Sequence, residues 1–375
     1  MKKNLLKNSG VQSLIASLIC ILLGMLIGYV VLLFIEPSGA GKAIMTVIKN
    51  FFTYSKTETQ MKYLGSTLVK TAPLLMCSLS ILFAYKVGLF NIGAAGQYCA
   101  GVAISLYAAL GWGLPWWLCA IMAMLVGALL GALSGILKAY CNVNEVISGI
   151  MFNWIVLYLT NMLLTQVKED TSPYTKQIAA VNRDALIPSL GLGKLFTNNQ
   201  YVTIAIPLAV IIAFVVWVVL DKTRFGYELK ATGNNKNAAK YCGMAEKRNI
   251  ILTLIIGGAL AGLGAAMLYL TGFEQWQCST SSVPAMGFNG IAAAFLGGLH
   301  PVGAVLSSFF IQHITVGGAY VDKTMYCAQI SDLISSIIIY LCGFVLFMKH
   351  AMNTGIARRE EKRKLAAAEE KGGDQ

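Results

Sequence analysis

Long apolar runs are the feature that most constrains the fold of this chain. A membrane-spanning helix needs about 20 predominantly apolar residues, and we place about ten such runs on that criterion. They lie near 14–35, 66–85, 89–110, 115–137, 146–166, 201–220, 250–270, 280–299, 301–319 and 329–349. Only 12% of the 375 residues are charged, against about 25% in soluble domains. The sequence therefore predicts an all-α polytopic membrane protein without a sizeable soluble domain.

Two of the runs begin with polar, glycine-rich sequence. The run 89–110 is entered through GLFNIGAAGQ, and the run 280–299 through STSSVPAMGFNG. Both contain a similar motif, Phe90–Ala95 and Phe288–Ala293, and the two helices run in opposite directions on the predicted topology. Broken helices and inverted repeats are typical of transporters that bind solute near the membrane midplane. We therefore predict an inverted repeat with broken or re-entrant helices.

The distribution of lysine and arginine predicts the orientation. Basic residues concentrate at the N-terminus, in the segment 221–249 and in the tail 351–375. Because cytoplasmic segments carry an excess of lysine and arginine, we predict that both termini and the 221–249 loop are cytoplasmic. The domain prediction is a transmembrane domain over 1–350 and a charged cytoplasmic tail over 351–375. The net charge of +12 then reflects topology, and nucleic acid is not a predicted partner.

The sequence contains no recognisable catalytic or energy-coupling set. PSGAGK resembles a phosphate-binding loop, but Glu36 and Ala43 occupy the positions where glycine and Ser/Thr are needed. The histidines and cysteines show no metal-ligand spacing. Cys278 and Cys327 fall in predicted outer loops, and whether they pair is left open. We expect a protein that is not an enzyme and binds no cofactor itself.

Polar residues inside the apolar runs are mostly neutral amides. Asn91, Gln97, Asn153 and Asn289 are the predicted solute pathway, since amides can hydrogen-bond an uncharged, hydroxyl-rich or heterocyclic solute. The alternative is that they only hydrogen-bond helices together. Lys70 is one of few ionisable residues within a run. Ion-coupled carriers usually need buried ionisable groups, so a stand-alone secondary carrier or channel for a small polar solute is the less favoured alternative.

Small residues recur along two runs. Gly127, Gly131 and Gly135 follow one another at four-residue intervals, and a second group is Gly257, Gly258, Gly262 and Gly264. Such spacing allows close helix packing. We predict packing within the chain, with a subunit interface as the alternative.

The segment 221–249 is too long and too polar for a simple turn. KNAAKY (236–241) favours a short helix, Gly233 and Gly243 bracket it, and Asn234 or Asn235 can cap its start. Ala238 and Ala239 are expected to form a small, flat face for another protein.

Four motifs carry a family resemblance. GNNxxAAxYxGM (233–244), GLFNIGAAGQ (88–97), NEVISGIMFNWI (144–155) and FNGIAAAFLGGLHPVGAV (288–305) resemble those of ABC importer permeases. The branch resembled transports branched-chain amino acids, simple sugars and nucleosides, and the nucleoside/simple sugar group is the most similar. That group commonly has Glu at the position of Ala95, and this departure leaves the role of that position open.

The resemblance implies partners and a mechanism of alternating access. A cytoplasmic ATPase would hold ATP and Mg²⁺ and receive the coupling loop. A second, different permease subunit and an extracytoplasmic binding lipoprotein or periplasmic protein would complete the importer in the bacterial plasma membrane. The implied solute is a nucleoside or, failing that, a simple sugar. The coupling-loop residues implied are Gly233, Asn234, Ala238, Ala239, Tyr241 and Gly243.

Overall fold

The chain folds into helices of unequal length. A computed structural model describes residues 9–318, residues 320 and 321, and scattered residues between 333 and 355. The α-helices are α1 (Ser9–Ile35), α2 (Ala40–Lys49), α3 (Thr57–Tyr85), α4 (Ala94–Leu110), α5 (Trp116–Cys141), α6 (Glu145–Leu164), α7 (Ile178–Val181), α8 (Leu192–Leu195), α9 (Ala205–Lys222), α10 (Arg224–Asn234), α11 (Lys236–Tyr241), α12 (Glu246–Tyr269), α13 (Ala285–Leu296) and α14 (Pro301–Gly318). Within the described ranges β-pairing amounts to two isolated β-bridges. The all-α prediction is confirmed for these residues.

Six of these helices are long and apolar enough to cross a membrane: α1, α3, α5, α6, α9 and α12. The structure starts α3 at Thr57, earlier than the predicted 66, so this helix has 29 residues. The predicted tenth span, 329–349, lies largely outside the described residues, as does Cys327. The multi-pass class is confirmed, and the count of ten stays a prediction.

The two glycine-rich entries lead into short helices. α4 has 17 residues and begins only at Ala94. α13 has 12 residues, and at 1.5 Å per residue its length is about 18 Å. The middle of α13 lies at the depth of Cys77, since a Cβ on Gly290 would lie 2.8 Å from the Cys77 Cβ. It ends where the Phe295 ring meets Tyr85, with centroids 5.3 Å apart. α13 therefore covers only one half of the depth that α3 covers.

The motif shared by these segments adopts two local structures. Residues 90–93 precede α4, whereas residues 288–293 lie within α13. The starts of the two helices nevertheless touch, because a Cβ on Gly287 would overlap the backbone of Ala95. The inverted repeat stays a prediction.

The connections of the bundle gather at two opposite faces. At the first, called here the loop face, the end of α3, the end of α9 and the start of α12 meet α10 and α11. A 4.0 Å contact between His300 and Asp221 places the start of α14 there too. The second, the cap face, consists of residues 165–204 and 270–284. Its parts are joined by backbone hydrogen bonds such as Ile187 N–H to the Leu270 carbonyl at 3.0 Å.

The predicted glycine packing is confirmed, and it lies within the chain. α5 and α12 are antiparallel: Gly127 lies against Gly258 and Gly262, and Gly131 lies against the Leu254 carbonyl. A Cβ on Gly135 would stand 2.9 Å from the Ile251 Cα. The α5 glycines thus face Gly258 and Gly262 along one seam, which brings the backbones of the two helices into direct contact, whereas Gly257 and Gly264 lie against α3.

Candidate functional site

The polar segment after α9 folds into two short helices with well-defined starts. Thr223 caps α10, because its hydroxyl accepts the Gly226 N–H at 3.1 Å. Asn235 caps α11, because its side-chain oxygen accepts the Ala238 N–H at 3.0 Å. Each cap stabilises its helix by about 1 kcal/mol. The sequence left Asn234 and Asn235 open as caps, and the structure assigns the role to Asn235.

One side of this segment is exposed to solvent. Tyr241 is 92% exposed, and Asn234, Ala238 and Gly243 are exposed beside it. Gly243 ends α11 with φ = +81°, a conformation that glycine adopts without strain. Ala239, by contrast, is 4% exposed and faces the bundle. Ala238 and Ala239 therefore do not share one face, and only Ala238 is available to a partner.

The segment is fixed to the bundle at the end of α10. A Cβ on Gly233 would lie 2.7 Å from the Val87 carbonyl carbon, so α10 touches the backbone at the end of α3. One residue earlier, the hydroxyl of Thr232 accepts a hydrogen bond from the buried Asn249 amide at 2.9 Å. The end of α10 is thus in contact with both the end of α3 and α12. Asn249 and Thr232 were not identified from the sequence, where no pattern distinguishes them from other polar loop residues.

Charges at the loop face are arranged around the end of α9. Lys230 pairs with Asp221, and His300 approaches the same carboxylate. Burial lowers the pKa of Lys86, an effect that Asp221 opposes by stabilising the ammonium. These pairs tie both α10 and the start of α14 to the end of α9.

Three of the four predicted pathway amides meet at the start of α4. The Asn91 amide donates to the Ser80 hydroxyl at 3.0 Å and to Gln97 Oε1 at 2.9 Å. Asn153 of α6 accepts the Gly96 N–H at 2.7 Å and donates to the Ile92 carbonyl at 3.1 Å. The two Asn153 bonds satisfy backbone groups that the late start of α4 leaves without helical partners.

The network leaves one donor available. Gln97 Nε2 is buried and has no partner among the described residues. Asn289 lies apart from the network, half-buried in α13, and its side chain bonds to no described residue. Asn153 therefore acts as a helix clamp in this structure, whereas Gln97 and Asn289 retain polar groups that a solute could use.

Replacing Asn153 with leucine is expected to destabilise the protein. The Gly96 N–H and the Ile92 carbonyl would lose their partner in a buried site, at a cost of about 1–3 kcal/mol each. The apparent melting temperature of the purified protein should fall clearly. Asn289→Leu is the matched control, because Asn289 makes no such bond and the melting temperature should stay unchanged. Equal losses in both variants would contradict the clamp assignment.

Bundled spans, short helices that meet inside the bundle and a small structured loop fixed to one face define a multi-pass membrane protein. A comparison with protein families adds its role. Residues 63–343 match the family described as "Branched-chain amino acid transport system / permease component". The chain belongs to this family, and it is a transport permease.

Several relatives resemble the chain over most of its length. The guanosine ABC transporter permease protein NupP of Bacillus subtilis is 31% identical over 75% of this chain and 80% of its own. The nucleoside ABC transporter permease protein NupB of Lactococcus lactis is 29% identical over 89% and 91%. The glucose ABC transporter permease protein TsgB13 of Haloferax volcanii is 28% identical over 86% of each chain.

In both bacteria a second permease named for the same solute also matches this chain. The identity is 29% over 255 residues in B. subtilis and 28% over 267 residues in L. lactis. No solved structure matches this chain.

Proposed function

We propose that this chain is one membrane-spanning subunit of an ATP-driven importer of nucleosides, with simple sugars as the second solute class. The observation that carries the proposal is the exposed α10–α11 segment, fixed to α3 and α12 at the end of α10. A segment that served only to connect α9 with α12 would need neither the capped helices nor the contacts to α3. The names of the relatives support the solute class.

In the proposed mechanism, α11 docks on a cytoplasmic ATPase that holds ATP and Mg²⁺. A partner shifts a conformational equilibrium only through different affinities for the two states. The exposed Ala238 and Tyr241 would therefore contact the ATPase differently before and after ATP closes it. Through Gly233 and Asn249, this movement would tilt α3 and α12 and open the path beside Gln97 and Asn289 to the other side.

The remaining subunits are proposed from the family. Paired permeases in two bacteria, both similar to this chain, support a heteromeric permease pair. An extracytoplasmic binding lipoprotein or periplasmic protein would deliver the solute at the cap face. The loop face and both termini would lie in the cytoplasm of a bacterium, with ten spans and an inverted repeat in the plasma membrane.

Uptake of radiolabelled guanosine in cells that carry the complete importer tests the solute and the energy source together. Unlabelled nucleosides are expected to compete at far lower concentrations than ribose or galactose, because a site built for the nucleoside also holds the base. Uptake should stop when the Walker lysine of the ATPase is replaced. Full uptake by this chain without any ATPase would favour the stand-alone carrier, and competition by sugars alone would change the solute class.

A further inference from the structure

A polar cavity of about 300 Å³ opens at the cap face. Its walls are the segments 175–179 and 271–275, and Gln200, Tyr201 and Leu106 of α4 complete the lining. This volume is at the lower end of the range for small-molecule sites, about 300–1,000 Å³. Lys176, Gln177 and Gln200 are exposed, so the cavity is accessible from solvent.

The cavity and the α10–α11 segment lie at opposite ends of the same helix. α12 begins at Glu246 beside Thr232 and ends at Tyr269, directly before Thr271 of the cavity wall. Its 24 residues at 1.5 Å each span about 36 Å, which exceeds the hydrocarbon thickness of a bilayer, about 30 Å. If the loop face is cytoplasmic, the cavity therefore faces the side from which solute arrives.

The lining combines aromatic rings with free amides. Tyr201 and Phe273 meet edge to face, with centroids 5.2 Å apart. The side chains of Gln177 and Gln200 bond to no described residue. Gln275 donates to the Thr175 carbonyl at 2.7 Å, which orients its amide at the wall. An apolar ring face next to planar hydrogen-bonding groups suits a solute that has a nonpolar side and several hydroxyls.

One ion pair lies at the edge of the cavity. Lys70 of α3 bonds to Glu274 at 2.7 Å, and both side chains remain about a third exposed, at 31% and 35%. The Lys70 ammonium also lies 5.5 Å from the centre of the Phe273 ring. Because the two charges compensate each other, the site has no need for a charged ligand. The carboxylate can still accept hydrogen bonds from hydroxyls, and the ammonium can donate them.

We propose that this cavity is an entry subsite for the solute, and that it binds the sugar part of a nucleoside or a free simple sugar. The inference rests on the proposed function, since it takes the solute class and the outward orientation from it. The hydroxyls would bond to Gln177, Gln200 and Glu274, and the sugar ring would lie against Phe273 or Tyr201. Solute released at the cap face would be held here before the path beside Gln97 opens.

Binding of radiolabelled guanosine to the purified complete importer in nanodiscs, without its binding protein, tests the subsite. The variant is Gln177→Ala with Gln200→Ala, which removes two exposed amides and no hydrogen bond within the described fold. Losing two neutral hydrogen bonds is expected to weaken binding about tenfold. The matched control is Gln277→Ala, an exposed cap-face glutamine that bonds to Ser279 and does not line the cavity.

The competitors separate the two sources of the ligand. Displacement of guanosine only by other ribonucleosides identifies a nucleoside subsite, and displacement also by D-ribose identifies a sugar subsite. Both results support the proposal. Displacement by free guanine but not by ribonucleosides other than guanosine would overturn it, as would equal weakening in Gln277→Ala or unchanged binding in the double variant.

A second measurement distinguishes this inference from the proposed function. ATP-dependent guanosine uptake by the wild-type importer tests the function by itself. If that uptake is present and the double variant binds and transports guanosine like wild type, only the entry subsite is wrong. If the wild-type importer takes up neither nucleosides nor sugars, the proposed function has failed and the subsite fails with it.

Discussion

Gly258→Leu is expected to abolish accumulation of folded protein. A side chain at this position would overlap the Gly127 carbonyl on α5, and the obstacle is backbone rather than a flexible side chain. Ordinary overpacking costs about 1–3 kcal/mol, and here α5 and α12 would have to separate along the whole seam. In a fusion with a fluorescent protein, the monodisperse peak on size-exclusion chromatography should disappear.

Gly41→Leu is the matched control for the seam. Gly41 also lies in a helix, but a Cβ there would meet no atom within 4 Å. This variant should elute like the wild-type protein. A normal peak for Gly258→Leu would show that α5 and α12 do not pack through their glycines, and this would contradict the packing of the most extensive helix contact in the bundle.

Ala238→Arg is expected to lower ATP-dependent uptake by at least about tenfold while the protein still folds. Ala238 is exposed on α11, so the substitution leaves the bundle unchanged. If α11 docks in a groove of the ATPase, an unpaired charge in that contact costs about 2–5 kcal/mol, and 1.4 kcal/mol already corresponds to tenfold. The ATPase should also be lost when the variant is purified through this chain.

Two further variants make this result specific. Ala180→Arg places the same side chain on a short exposed helix of the cap face, α7, and should retain ATPase binding. Ala239→Arg is unsuitable as a test of docking, because Ala239 is buried and the variant is expected to unfold the segment. Normal uptake and normal ATPase capture in Ala238→Arg would refute the docking role of α11.

Features that depend on neighbouring residues were predictable from the sequence. Apolar runs of sufficient length give α5, α6, α9 and α12 within a few residues, because a membrane helix satisfies its own backbone hydrogen bonds. The glycine spacing predicted a close helix contact, since four-residue intervals place all members on one helix face. The helix over 236–241 and its asparagine cap also follow from local sequence.

Features that depend on distant residues were decided only by the tertiary structure. Asn153 appeared to be a pathway amide, but its oxygen binds a backbone N–H that is 57 positions away. Ala238 and Ala239 are alike in sequence, and only the packing of α11 on the bundle buries one and exposes the other. The half-depth position of α13 and the cavity between 175–179 and 271–275 have the same origin. Hydropathy measures the preference of each residue for lipid or water, whereas a partner across the bundle is set by how the helices pack.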